Sequence, residues 1–128
     1  MSWNNQNVLV TGSTGFIGKH LVYSLINLGA RVTGLSTSNS NYQHKNYTHL
    51  VKRINDPLEL DKYSYIFHLA GVFNGAIITD EMHKINVKGL VNLLDSIKDP
   101  SSTKLIFSSS CSVYGHNSTE KMSEEIPL

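Results

Sequence analysis

The stretch from Val8 to Gly18, VLVTGSTGFIG, restricts this chain more than any other. Val8, Leu9 and Val10 run directly into glycines at positions 12, 15 and 18, and a helical pattern follows at once. A buried strand that feeds a glycine-rich turn and then a helix start makes an anion site. Unpaired N–H groups and the positive end of the helix dipole face outward, and the glycines let a diphosphate approach the backbone. The spacing is G-x-x-G-x-x-G rather than G-x-G-x-x-G. Gly12 would allow the tight turn, Gly15 the approach of phosphate, and Gly18 the packing of helix on strand. Any one of them alone is an ordinary turn residue; three at this spacing predict nucleotide binding.

The rest of the chain reads as alternating strands and helices. Asn7 to Thr11 is the first strand, apolar throughout as a central parallel strand should be. Phe16, Ile17, His20, Leu21, Ser24, Leu25 and Leu28 fall on one helical face, and Gly29 is a natural stop. Ala30 to Leu35 is a second strand. Ser36 to His49 is polar and rich in Ser and Asn, a long loop with at most one weak helical turn where a crossover helix is expected. His49 to Ile54 is the third strand. Asp56-Pro57 predicts a brief helix over Pro57 to Lys62, with Asp56 as its N-cap. Tyr65 to Ala70 is the fourth strand. Asp80 to Lys98 carries the longest helical pattern, with an apolar set (Met82, Ile85, Val87, Leu90, Val91, Leu93, Leu94, Ile97) wider than one face needs. Thr103 to Ser108 is the fifth strand, and the tail from Gly115 is polar and turn-rich.

This alternation implies an α/β fold with right-handed crossovers, a Rossmann-type doubly wound parallel sheet of strand order 3-2-1-4-5. Ligands of such sheets lie beyond the C-terminal strand ends, so the residues just after positions 10, 35, 70 and 108 matter most. With 128 residues, no repeats and no linker, residues 1–128 are expected to form one domain.

Net charge is +1 and no stretch concentrates Lys or Arg, which argues against nucleic acid as a partner. No apolar run approaches a membrane span and no signal peptide is visible, so a cytoplasmic protein without membrane contact is expected. The one cysteine, Cys111, reads as a small buried filler and fits a reducing compartment. The six histidines (20, 44, 49, 68, 83, 116) show no metal-ligand spacing, and no metal site is expected.

Four stretches in order carry a resemblance. TGSTGFIG resembles the cofactor turn of the extended short-chain dehydrogenase/reductase family, the NAD(P)-dependent sugar-nucleotide epimerases and dehydratases. HLAG (His68 to Gly71) is similar to its H-x-A-[AG] motif beside the cofactor, INVKG (Ile85 to Gly89) to its N-V-x-G segment, and FSSSCSVYG (Phe107 to Gly115) to its fifth strand and following loop. The resemblance covers essentially the whole chain. It implies that Gly12, Ser13, Thr14, Gly15, Phe16, Ile17, Gly18, Ser36, Leu69, Ala70, Gly71 and Asn86 bind NAD or NADP. It also implies that Ser110 takes the place of the catalytic serine or threonine and that the substrate is a nucleoside-diphosphate sugar. Isomerase, lyase or oxidoreductase chemistry would all be compatible with it.

The residues themselves allow plainer readings. Ser108, Ser109, Ser110 and Ser112 either bind a sugar oxygen or simply end a strand. Asn86, polar within an apolar helix, needs a partner and either holds a neighbouring loop or lies at the site. His68, alone in an apolar strand, reads as a satisfied core residue rather than a catalyst.

Three departures qualify the resemblance. Where NAD-specific members carry an acidic residue for the ribose 2′-OH, this chain has Ser36, followed by Thr37 and Ser38. With Arg31, Lys45 and Arg53 as candidate cations, the balance favours NADP. Arg53 stands where the family places an aspartate that accepts from the adenine amine, a bond an arginine cannot accept. None of the six tyrosines has Lys four residues later, so the Y-x-x-x-K proton-transfer pair is missing. The chain therefore reads as the N-terminal portion of a longer enzyme, without the later strands and substrate domain, inactive by itself and prone to self-association or homodimer formation through its wide apolar helix face. The alternative is a non-catalytic NADP-binding module that senses redox state.

Overall fold

A computed structural model describes residues 2–73, 75, 78–115 and 123–125. Five parallel strands form one sheet in the order β3-β2-β1-β4-β5. They are β1 (Asn7–Thr11), β2 (Arg31–Ser36), β3 (Tyr47–Val51), β4 (Tyr65–His68) and β5 (Lys104–Phe107). The expected strand order is the one observed. β1 lies at the centre and pairs with β2 from Asn7↔Arg31 to Thr11↔Leu35, and with β4 from Val8↔Tyr65 to Thr11↔His68. Its Val8, Leu9 and Val10 are buried, with Val8 and Val10 facing one core cluster and Leu9 the other, as strand alternation requires.

The first cluster packs α1 (Phe16–Asn27) on the sheet through Val22, Leu25 and Ile26. The buried face is Gly18, Val22, Leu25 and Ile26, so of the face expected from sequence only Leu25 is buried. Phe16 is 78% exposed and Ile17 61%. The contact row begins at a glycine, which a count of apolar side chains passes over. α1 ends in a Schellman closure: Gly29 (φ 89°) donates to Ile26 O and Ala30 to Leu25 O.

On the opposite face Leu9, Leu35, Ile54, Leu60, Tyr63, Ile66 and Leu93 form the second cluster. The helix expected over Pro57 to Lys62 is not there. The Asp56 carboxylate accepts from Arg53 N–H at 2.7 Å, and Asp56 N–H donates to Arg53 O at 3.1 Å. Asp56 thus closes the preceding turn instead of capping a following helix, and the chain beyond it runs irregularly, placing Leu60 and Tyr63 in the core. β3 likewise lies two residues earlier at its start than expected, and Ile54 enters the core from the turn after it.

The pattern over Asp80 to Lys98 folds as three consecutive helical pieces: α2 (Asp80–Met82), a π-helical turn (His83–Lys88) and α3 (Gly89–Asp95). The Thr79 hydroxyl caps the first of them by accepting from Met82 N–H at 3.1 Å. Residues 116–122 and 126–128 of the polar tail, with His116, lie outside the described residues.

Candidate functional site

The turn after β1 is closed by backbone alone. Gly12 and Ser13 both donate to Leu35 O, at 2.8 and 3.3 Å, and Gly15 donates to Gly12 O at 3.0 Å. Gly12 has φ 68°, and a Cβ there would sit 2.9 Å from Ala70 N and 3.0 Å from Leu69 O. Both backbone conformation and space demand glycine. A Cβ at Gly18 would run into the Gly12 carbonyl, so α1 approaches the strand end as closely as backbone permits. α1 starts at Gly15 with no side-chain cap and no acidic residue in its first turn; its first internal bond is Lys19 N–H to Gly15 O. The N–H donors before Lys19 point out of the helix start, where the dipole favours an anion.

Thr11 fastens this turn to the chain after β4. Its hydroxyl accepts from Leu69 N–H (3.2 Å) and Ala70 N–H (3.1 Å) and lies 2.8 Å from His68 Nδ1. A hydroxyl has one proton to give. With two N–H groups already pointing at Oγ1, that proton goes to Nδ1, which places the ring proton of His68 on Nε2. His68 is 2% exposed and stacks on Phe107 (5.8 Å between centroids). Burial holds its pKa below the ordinary imidazole value. It is a satisfied core residue, as read from sequence.

These elements open onto a cleft of about 730 Å³ at the C-terminal edge of the sheet. Of the residues expected at the cofactor, Gly12, Thr14, Gly15, Ser36, Leu69, Ala70 and Gly71 line it. Ser13 lines a second cavity instead. Phe16 and Ile17 are exposed on the helix start, and Gly18 serves packing. The cleft also takes in Thr37 and Arg53, both weighed from sequence at the ribose and adenine positions, and Lys52, Asn55, Asp56, Val72, Glu81 and Lys84, which the sequence did not single out for the site. Residues 52–56 follow β3 as Thr37 follows β2, and the strand-end rule reaches them once the strand ends at Val51 instead of the expected Ile54.

Asn86, on the π turn, is not among the lining residues. Its Oδ1 accepts from Val72 N–H and its Nδ2 donates to Val72 O, both at 2.8 Å, so it holds the loop after β4. Asn92 on α3 does the same for the loop after β3, donating to Ile54 O (2.8 Å) and Asp56 O (3.0 Å), and Asn55 Nδ2 donates back to Lys84 O (3.0 Å). One helical stretch therefore braces two walls of the cleft.

Ser36 is buried and its hydroxyl donates to Ser38 O at 2.7 Å. The same carbonyl accepts from His49 Nε2 at 2.9 Å, and the Tyr47 hydroxyl donates to His49 Nδ1 at 3.0 Å. Ser36 is thus occupied locally, and Thr37 beside it also lines the cleft. Two of the candidate cations are misplaced: Arg31 and Lys45 line a cavity with Asn7 and Lys62, at the N-terminal ends of the strands. β-strand direction decides this, because residues that begin a parallel strand lie a full strand length from those that end it.

Ser110 follows β5 and caps a short 3₁₀ turn (Cys111–Tyr114), its Oγ accepting from Ser112 N–H and donating to Ser112 Oγ, both at 3.1 Å. It is exposed. Cys111, expected to be buried, is exposed as well, because the chain leaves the sheet at Ser108 before reaching it.

The family model described as "NAD dependent epimerase/dehydratase family" matches residues 8–128. The bifunctional protein GAL10 of Candida maltosa is 32% identical over 127 residues, covering 84% of this chain and 83% of that sequence. UDP-glucose 4-epimerase 2 of Oryza sativa subsp. japonica is 28% identical, covering 96% of this chain and 36% of that enzyme. Among solved structures, the Bordetella bronchiseptica enzyme WbmF in complex with NAD+ and UDP superposes with a TM-score of 0.71 at 28% identity, over 82% of this chain and 36% of that one. The chain thus spans just over a third of the rice and Bordetella proteins.

Proposed function

The chain belongs to the NAD dependent epimerase/dehydratase family, and from that premise we propose that it is the dinucleotide-binding part of an enzyme that epimerises or dehydrates nucleoside-diphosphate sugars. The carrying observation is the close approach of Gly12, Leu69 and Ala70 beneath the uncapped start of α1. A Cβ at Gly15 would lie 3.2 Å from Gly12 O, so the turn leaves a shallow cradle bare of side chains at the point where N–H donors emerge. The diphosphate would lie there, with one ribose toward Ser36 and Thr37 and the nicotinamide end toward Gly71. When bound, the dinucleotide supplies a reversible hydride acceptor.

The chain's own residues do the rest in this reading. Thr11 sets the floor of the cleft through Leu69 and Ala70, Asn86 keeps Val72 in place, and Ser110 offers a hydroxyl to a sugar oxygen. Relatives named for UDP-sugar epimerisation and the NAD+ and UDP in the WbmF complex support this substrate class. The general base would come from a Tyr–Lys pair that these 128 residues do not contain. The serine in place of a ribose-binding carboxylate favours NADP over NAD.

Titration of the chain with NADH and NADPH, followed by nicotinamide fluorescence, tests the reading. Binding of either supports it, and Gly12→Ala should weaken that binding by about two orders of magnitude. Failure of both dinucleotides to bind would overturn it. Assay of the same chain with UDP-glucose should give no turnover; turnover above background would remove the need for residues beyond those present.

A further inference from the structure

A hollow of about 270 Å³ lies at the N-terminal ends of β1, β2 and β3, at the opposite edge of the sheet from the cleft. Arg31, Lys45 and Lys62 stand on its wall, and no carboxylate does among the described residues. We infer that this hollow is a second anion site, separate from the cleft, which takes a diphosphate group, either free or carried by a nucleotide. The six residues of β2 put about 20 Å between the two sites, so a ligand here leaves the cleft open.

The strand pattern makes the hollow. Alternate positions on one face of β2 are Arg31, Thr33 and Leu35, and of these only Leu35 joins the second core cluster. Thr33 is in register with Thr48 of β3, so two hydroxyl-bearing side chains share that face where the core stops. Neither hydroxyl bonds another described residue. Residues 57–62, irregular in place of the expected helix, end here, and Lys62 and Tyr63 form a further part of the wall. Tyr63 is only 4% exposed, yet its hydroxyl has no hydrogen-bond partner among the described residues and is not sealed from the surface. Tyr63 lines this hollow and neither the cleft nor the cavity at Ser13. A largely buried hydroxyl with an unused proton calls for an acceptor.

Each cation arrives from a different element and lacks an acidic partner. Arg31 opens β2, and Asn5 Oδ1 steers its guanidinium by accepting from Nη2 at 3.3 Å. Lys45 sits in the tight turn closed by Tyr47 N–H to His44 O (3.0 Å), and Lys62 in the one closed by Tyr63 N–H to Leu60 O (3.1 Å). The acid beside Lys62 in sequence, Asp61, is taken by Lys98 at 2.7 Å, the one ion pair among the described residues. Three like charges around a hollow repel one another, and an anion between them relieves that repulsion. A diphosphate carries enough charge to answer all three. Guanidinium, ammonium and hydroxyl donors are the set that holds phosphoryl oxygens.

Backbone amide shifts of the full chain, followed by NMR while inorganic diphosphate is added at constant ionic strength, test this. Residues 31–33, 45–48 and 62–63 should move together and saturate with a dissociation constant below about 1 mM. Lys45→Met and Lys62→Met should each weaken binding by about tenfold, and Lys88→Met, on the π turn, should leave it unchanged. Both lysines of the hollow are exposed, so neither change should move the urea midpoint, and a lost affinity reads as a lost contact. A titration with UDP, read at the same residues, separates the two sources. Tighter binding of UDP than of inorganic diphosphate identifies a nucleotide, and equal or weaker binding identifies free diphosphate. Shifts confined to residues 12–15 would put the anion on the glycine turn and overturn the inference. An affinity that ignores both lysine changes, or no saturation by about 10 mM, overturns it equally. None of these results bears on dinucleotide binding in the cleft, which stands or falls separately.

Discussion

The two halves of the sheet are finished to different degrees. Around β1 and β2, strand residues are buried, the turn after β1 is closed on Leu35 O and Gly12 O, and Thr11 ties it to Leu69 and Ala70. Around β5 and α3 the picture reverses. β5 is an edge strand with Ile106 and Phe107 exposed, and α3 with the π turn exposes Val87, Val91 and Leu94, about half of each side chain, at helical spacing. The β1–β2 half holds its shape by its own bonds, whereas the β5–α3 half carries apolar surface of the kind that proteins cover. Side-chain chemistry at the first half is fixed by internal bonds; at the second, Ser110 is held only by its own 3₁₀ turn.

The contrast can be broken most sharply at Thr11. Thr11→Val keeps the shape and removes the hydroxyl shared by Leu69 N–H, Ala70 N–H and His68 Nδ1. Leaving these buried groups unpaired should cost about 3 kcal/mol in urea denaturation. A loss under about 1 kcal/mol would mean that the first half is less tightly determined than its bonds imply.

A smaller effect comes with pH. The unfolded chain takes up a proton on His68 near pH 6.5, and the folded chain resists it because burial lowers that pKa. The unfolded state therefore binds more protons on acidification, so the stability from a neutral His68 is full above about pH 6.5 and is lost as pH falls through its lowered value. His68→Asn, whose amide oxygen can still accept from Thr11, should flatten that slope in denaturation curves taken between pH 7 and 5. An unchanged slope would place the acid sensitivity elsewhere.

The smallest effect on stability belongs to the second half. Val91→Lys with Leu94→Lys should alter unfolding free energy by about 0.5 kcal/mol or less, since both positions are half exposed. The same pair should abolish concentration-dependent self-association in sedimentation velocity. Monomeric behaviour of the unmodified chain at high concentration would show that this surface does not adhere to itself.

The sheet order was legible because its signals are local and strong: three apolar residues meeting three glycines, then alternating periods. The failures have specific physical causes. Asp56-Pro57 looks like a helix start, but the Asp56 carboxylate bonds backward to Arg53 N–H, a choice that sequence spacing does not encode. The face of α1 was misjudged because its closest contact is Gly18, invisible to a count of apolar side chains. At the cleft, Gly12 was legible in the glycine turn, and Leu69 and Ala70 through the resemblance carried by HLAG. Asn92 and His49 were not, since each acts on backbone from another element and nothing beside them in sequence announces it.

Asn86 and Asn92 are anchored on the same run of helix, one clasping the loop after β4 and the other the loop after β3. The two lips of the cleft are consequently not independent degrees of freedom. They are mounted on a common beam, and a tilt of that beam would widen or narrow the slot on both sides together, without either loop changing its own conformation.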